Sequence, residues 1–156
     1  MQAQDELRSI LADLVGEPVF RRNIAGNTLI LWFRPAADGK PLLGLSLDAP
    51  WRVEAQGEII ATSADLPWEQ EDGEADGAYR ERFDSAAALS EPLTGLKVHD
   101  VAHDQRTGDL VLTFDHGHTM RTFTVWRGEE SWRVLDYKLE RRLLVSAGEV
   151  MADKLS

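Results

Sequence analysis

The chain has 156 residues and a formal net charge of −10, from 17 Lys+Arg against 27 Asp+Glu. That balance repels a nucleic-acid backbone or an anionic membrane surface. There is no cysteine, which excludes disulfides, thiolate catalysis and thiolate zinc sites.

The N-terminal segment Met1–Glu6 has neither a basic cluster nor an apolar h-region, so it does not read as a secretory signal. No apolar run approaches the ~18 residues of a membrane span, and a cytoplasmic location is expected. Leu7, Ile10, Leu11 and Leu14 recur at helical spacing, and Asp5 and Glu6 suit the positive end of a helix that Gly16 then terminates. Leu29 to Phe33 is apolar on both faces, which predicts a strand covered on both sides. Leu43 to Leu47 alternates as a half-buried strand, after a hairpin turn over Pro35–Gly39. Leu66 to Gly77 is acidic and glycine-containing, and reads as an exposed connector.

A second helix over Ala86–Leu89 is expected, capped by Asp84 or Ser85 and limited by Pro92 and Gly95. Leu110 to Phe114 and Arg121 to Val125 read as strands around the turn Asp115–His118. The stretch Gly148–Ser156 is expected to form a short, frayed terminal helix.

The two halves match one another. Leu14-Val15-Gly16 and Val19 correspond to Leu93-Thr94-Gly95 and Val98, 79 positions on, and Leu29-Ile30-Leu31 to Leu110-Val111-Leu112, 81 on. Gly39 corresponds to Gly117 and Leu45-Ser46-Leu47 to Phe123-Thr124-Val125, both at 78. Trp51-Arg52-Val53 corresponds to Trp132-Arg133-Val134, and Ile60–Ser63 to Leu143–Ser146. The expected fold is therefore α+β and β-dominated: a tandem duplication of one helix plus a four-strand antiparallel meander, packed as a pseudo-two-fold unit. The boundaries are 1–66 for the first unit, 67–81 for the acidic connector, 82–150 for the second unit and 151–156 for a tail. The two units are expected to form one globular domain.

The order Leu-x-Gly-x-x-Val, Leu-x-Leu, acidic spacer, second Leu-x-Gly-x-x-Val, Gly108-Asp109-Leu110, Gly117 and Glu130-Ser131-Trp132 resembles a bacterial family of unknown function. Its members are small, duplicated and cytoplasmic. The resemblance spans roughly residues 12 to 148 and implies a fold but no activity. The chain departs from it at Leu143–Gly148, which lacks a Pro-Gly-Gly run.

Two groups of residues stand out as candidates. All four histidines fall between 99 and 118, and His99, Asp115, His116 and His118 form a candidate metal set of imidazole and carboxylate ligands. The first half carries no histidine, which favours an exposed polar hairpin instead. His99 and His103, at even separation, are expected on one strand face. Trp68 and Trp126 lack counterparts and are candidate partner-binding residues, with Arg52 and Arg133 beside the paired tryptophans. The plainer reading of Trp51 and Trp132 is core packing, with each arginine turned outward.

No phosphate-binding glycine loop and no Gly-x-Ser-x-Gly elbow occurs, and no catalytic residue or cofactor is assigned. The expected function is non-enzymatic: an acidic neutraliser of a basic protein, or a self-associating protein. The alternatives are a metal-binding or metal-dependent hydrolase domain on the histidine cluster, and a small-ligand carrier with a cavity between the units.

Overall fold

A computed structural model describes residues 2–155. Met1 and Ser156, the outer ends of the expected first unit and tail, lie outside the described residues. The chain is α+β and dominated by strands. Helix α1 (Ala3–Asp13) precedes strands β1 (Arg21–Ala25), β2 (Thr28–Pro35), β3 (Pro41–Leu47), β4 (Trp51–Ala55) and β5 (Glu58–Thr62). Helix α2 (Asp76–Ala87) runs on into a 3₁₀ segment, Ala88–Leu93. Strands β6 (Val98–His103), β7 (Leu110–Phe114), β8 (His118–Thr122), β9 (Trp132–Asp136), β10 (Arg141–Ser146) and β11 (Glu149–Lys154) follow. No helix among the described residues is long and apolar enough to cross a membrane.

The strands form two antiparallel sheets. Sheet I has the order β1-β2-β3-β9-β10-β11, and sheet II the order β5-β4-β8-β7-β6. Neither half of the chain keeps its strands together. The first three strands of each half join strands from the end of the other, β1–β3 with β9–β11 and β6–β8 with β4 and β5, so the halves supply five and six strands rather than the expected four each. The swap happens at two crossovers, Asp48–Pro50 and Phe123–Ser131. They hold one another reciprocally: the Asp48 N–H donates to the Ser131 carbonyl at 3.0 Å, and the Phe123 N–H to the Pro50 carbonyl at 3.1 Å.

A second reciprocal set ties the segments that lead into β1 and β6. The Gly16 N–H donates to the Val98 carbonyl at 2.7 Å and the Gly95 N–H to the Val19 carbonyl at 2.8 Å. The Val98 N–H bonds to Glu17 and the Val19 N–H to Leu96, each at 2.9 Å. Residues 79 positions apart therefore exchange the same bonds, as a two-fold relation requires.

Alternation sets what each strand buries. Leu31, Leu45, Val134 and Leu143 form one row across sheet I, and Val53, Met120 and Leu112 one row across sheet II. All seven are buried and share a single hydrophobic cluster between the sheets. Each fully buried leucine contributes about 2 kcal/mol relative to exposure. Leu7, Leu11 and Leu14 bring α1 onto this core, and Glu6 pairs with Arg141 of β10 at 3.1 Å. On the other side Arg22 of β1 donates to the Ala87 carbonyl at 2.7 Å and to Ser90 Oγ at 2.9 Å, and pairs with Glu91. That guanidinium holds the Glu91 carboxyl below the usual range.

Four sequence expectations change. The terminal stretch is strand β11, not a helix, because the tight turn at Ala147-Gly148 lays it antiparallel against the whole length of β10. An isolated helix of that length would be marginal, whereas the β10 edge offers a full ladder. The second helix starts at Asp76, eight residues before Asp84, so it occupies the end of the expected connector. Arg82 braces this start through Glu74 at 2.9 Å.

The strand expected over Arg121–Val125 stops at Thr122. Its partner in the first half is set by pairing register: Leu31 faces Leu45 as Leu112 faces Met120. Leu45 and Met120 are 75 positions apart, not 78. The second hairpin is six residues shorter than the first and the second crossover six longer. The Phe33–Trp51 and Phe114–Trp132 spacings stay equal only because these changes cancel.

Candidate functional site

The histidines diverge. A bulge in β6 between Val98 and Asp100 turns His99 outward, while His103 faces inward opposite Leu110. The two therefore do not share a strand face. The His99 Nε2 lies 3.0 Å from Asp115 Oδ1, the one close contact among the four candidate ligands that joins an imidazole to the carboxylate. The Asp115 N–H also donates to the Lys97 carbonyl at 3.1 Å and its carboxylate accepts from the Lys97 N–H at 3.3 Å, which docks the turn on the β6 entry. His116 sits in that turn with φ of 61°, and its carbonyl accepts a hydrogen bond from Gln56 Nε2 at 2.8 Å. His118 begins β8 beside Ala55, with Nδ1 3.2 Å from the His116 carbonyl. Among the described residues, no three His, Cys, Asp or Glu side chains come together as a metal-holding group.

His103 packs against the core. Its ring meets Trp132 edge-on, with centroids 5.5 Å apart and an interplanar angle of 89°. Its Nε2 is buried without a hydrogen-bond partner among the described residues. Burial pushes its pKa below the ordinary imidazole value, with a smaller opposing pull from Asp104. The ring also lines a surface cleft of about 410 Å³ beneath α1, together with Arg8, Leu11, Asp100 and Gln105. Side chains such as Phe33, Leu45, Leu112 and Trp132 pack together between the two sheets.

Trp51 and Trp132 close the core, at 3% and 0% exposed. Each indole N–H bonds to a turn carbonyl, Trp51 to Asn27 at 2.8 Å and Trp132 to Gly108 at 2.7 Å. Their neighbours Arg52 and Arg133 point outward, but from different sheets, so they form no common surface. Arg52 and Arg121 converge on one oxygen of Glu54, at 3.0 and 2.7 Å. These bonds, that from Arg121 first, hold the Glu54 carboxyl below its ordinary pKa. Arg52 also lies over the Phe123 ring at 4.9 Å. Arg133 pairs with Asp48 at 3.0 Å and Glu130 at 3.7 Å.

Trp68 is 84% exposed in the connector, and Trp126 is 63% exposed in the Phe123–Ser131 crossover, beside Val125 at 61%. Acidic residues follow both tryptophans: Glu69, Glu71 and Asp72 after the first, Glu129 and Glu130 after the second. The crossover is pinned at its far side, where Ser146 Oγ donates to the Glu129 carbonyl at 2.9 Å.

An aromatic pair escaped the sequence reading. Trp32 of β2 and Tyr137, just after β9, lie 6.0 Å apart on the outer face of sheet I and line a cleft of about 350 Å³ with Pro41 and Leu42. The signal was present: Trp32 is the outward residue of the strand that is apolar on both faces. No family model, curated protein or solved structure matches the chain.

Proposed function

We propose that this protein is a non-enzymatic interaction protein that engages a basic protein partner through Trp126 and Trp68. The supporting observation is that each exposed indole stands at the head of an acidic segment, in a molecule of net charge −10. A desolvated aromatic anchor ringed by carboxylates suits a basic surface, with the tryptophan supplying affinity and the charge supplying encounter rate. We further propose that the two halves arose by duplication. The reciprocal bonds at Gly16, Gly95, Asp48 and Phe123 support that reading.

On this view function lies where the halves differ. The six extra residues of the second crossover carry Val125 and Trp126, and the connector that carries Trp68 joins the halves.

The test is co-purification of the tagged chain from its host lysate at low and at moderate salt, beside Trp126→Ala and Trp68→Ala. The proposal expects one stoichiometric basic partner whose capture falls as salt rises and fails with Trp126→Ala. A partner that is acidic, or that both variants retain, overturns it.

A further inference from the structure

The outer faces of the two sheets differ in kind. Sheet II turns Arg52, Glu54, Arg121 and Thr119 to solvent, a mainly polar exterior with Ile59 exposed at its β5 edge. Sheet I turns out two adjoining rows with large apolar side chains. One row runs Arg21–Trp32–Gly44–Leu135–Arg142–Asp153 from β1 to β11. The next runs Asn23–Ile30–Ser46–Arg133–Leu144–Met151. Ile30, Trp32, Leu135 and Leu144 are partly exposed around the buried Gly44 and Ser46, and Met151 is 62% exposed. A strand apolar on both faces is normally covered on both, and here the outer apolar side chains stay partly open.

We propose that a second copy of this chain covers the outer face of sheet I, about a two-fold axis parallel to the strands and between β3 and β9. That axis lays β1 of one copy over β11 of the other and each row over itself in reverse. The rows are then their own complements. Arg21 meets Asp153 of the second copy, Trp32 meets Arg142, and Leu135 falls opposite Gly44. In the next row Ile30 meets Leu144.

Each match has a physical basis. Arg21 has no ion pair among the described residues. Trp32 lies flat across Gly44 and offers its ring face to a guanidinium. Because that ring fills the space over Gly44, Leu135 of the second copy meets the ring edge rather than the Gly44 backbone. Arg133 and Arg142 are already neutralised by Asp48 and Asp153, at 3.0 and 2.8 Å, so burial strands no charge.

Six strands at ~4.8 Å spacing and ~20 Å of strand length give about 500 Å² per copy. The total, about 1,000 Å², is the lower limit for a specific interface, so association is expected in the micromolar range or weaker. Two copies of charge −10 repel elsewhere, so moderate salt does not dissociate this pair as it would a basic partner.

Sedimentation velocity of the full chain, from about 1 to 500 µM, decides the matter, since that range brackets a weak interface. The wild type is expected to pass from monomer to dimer. Leu135→Lys is expected to stay monomeric with an unchanged thermal melt, because position 135 faces outward. Arg21→Asp is expected to weaken the dimer about tenfold, by opposing two carboxylates, and Asp153→Arg added to it to recover part of that loss. A chain monomeric throughout overturns the proposal, as does a dimer that Leu135→Lys leaves intact. A dimer broken by Leu135→Lys but indifferent to Arg21→Asp overturns the assigned axis.

Discussion

The indole of Trp32 covers Gly44: a Cβ built on Gly44 would stand 2.5 Å from Trp32 Cζ3 and 2.7 Å from Cε3. The two residues are direct cross-strand partners on β2 and β3, so neither can move aside without disturbing the ladder. Gly44→Ala is therefore expected to destabilise the fold by about 1–3 kcal/mol, the cost of overpacking. Urea unfolding checks it. In a Trp32→Ala background the same change is expected to cost much less, and the difference between the two measures the contact itself.

The indole bonds of Trp51 and Trp132 make a second prediction. Both donate to the carbonyl of a residue in the turn that leads into β2 or β7, Asn27 or Gly108, and those acceptors are 81 positions apart like the tryptophans. Trp51→Phe and Trp132→Phe each lose the bond and orphan a carbonyl, at about 1–3 kcal/mol. The double variant is expected to lose the sum of the two within about 0.5 kcal/mol, the usual limit for independent sites. Gly108→Ala is expected to be worse than a plain turn substitution. Its φ is 84° and its Cβ would meet the Ala147 carbonyl at 2.5 Å. Chemical denaturation of these variants reads all of this.

His103 predicts a pH dependence. Its folded pKa lies below the ordinary value of 6.5 because burial disfavours the imidazolium. Above that value both states are neutral and the residue contributes no slope. As pH falls through 6.5 the unfolded chain takes up a proton that the folded chain refuses, so stability declines, by at most about 1.4 kcal/mol per pH unit. Arg8 and Asp100 line the same cleft and Asp104 adjoins in sequence, and the Asp104 charge opposes the shift. Ile24 holds the corresponding place in β1, opposite Leu29 as His103 is opposite Leu110. His103→Ile is therefore expected to fold and to flatten melting temperature against pH between about 7 and 5. A variant whose slope matches the wild type would contradict the assignment.

Much of the local structure was legible in the sequence. Alternation at Leu43–Leu47 and Leu110–Phe114 identified strands, and at Leu110–Phe114 the buried side, but Leu43–Leu47 was expected half-buried and is buried on both faces, where Trp32 covers Gly44. The spacing of Leu7, Leu11 and Leu14 identified α1, and the acidic segment after Leu66 exposed Trp68 as composition implies. The candidate site was only partly legible. The contact of His99 with Asp115 followed from hairpin geometry, but one bulge residue in β6 separated His99 from His103, and no periodicity encodes a bulge.

The sequence by itself determined which residues turn inward, because local sterics fix side-chain direction along each element. Only the tertiary structure decided which strands pair. A three-residue turn such as Asp48–Pro50 serves a hairpin or a crossover equally well, and the choice rests on where Trp51 and Trp132 find buried partners in distant chain segments. For the same reason β11 exists: six residues with little preference of their own took the ladder that β10 offered.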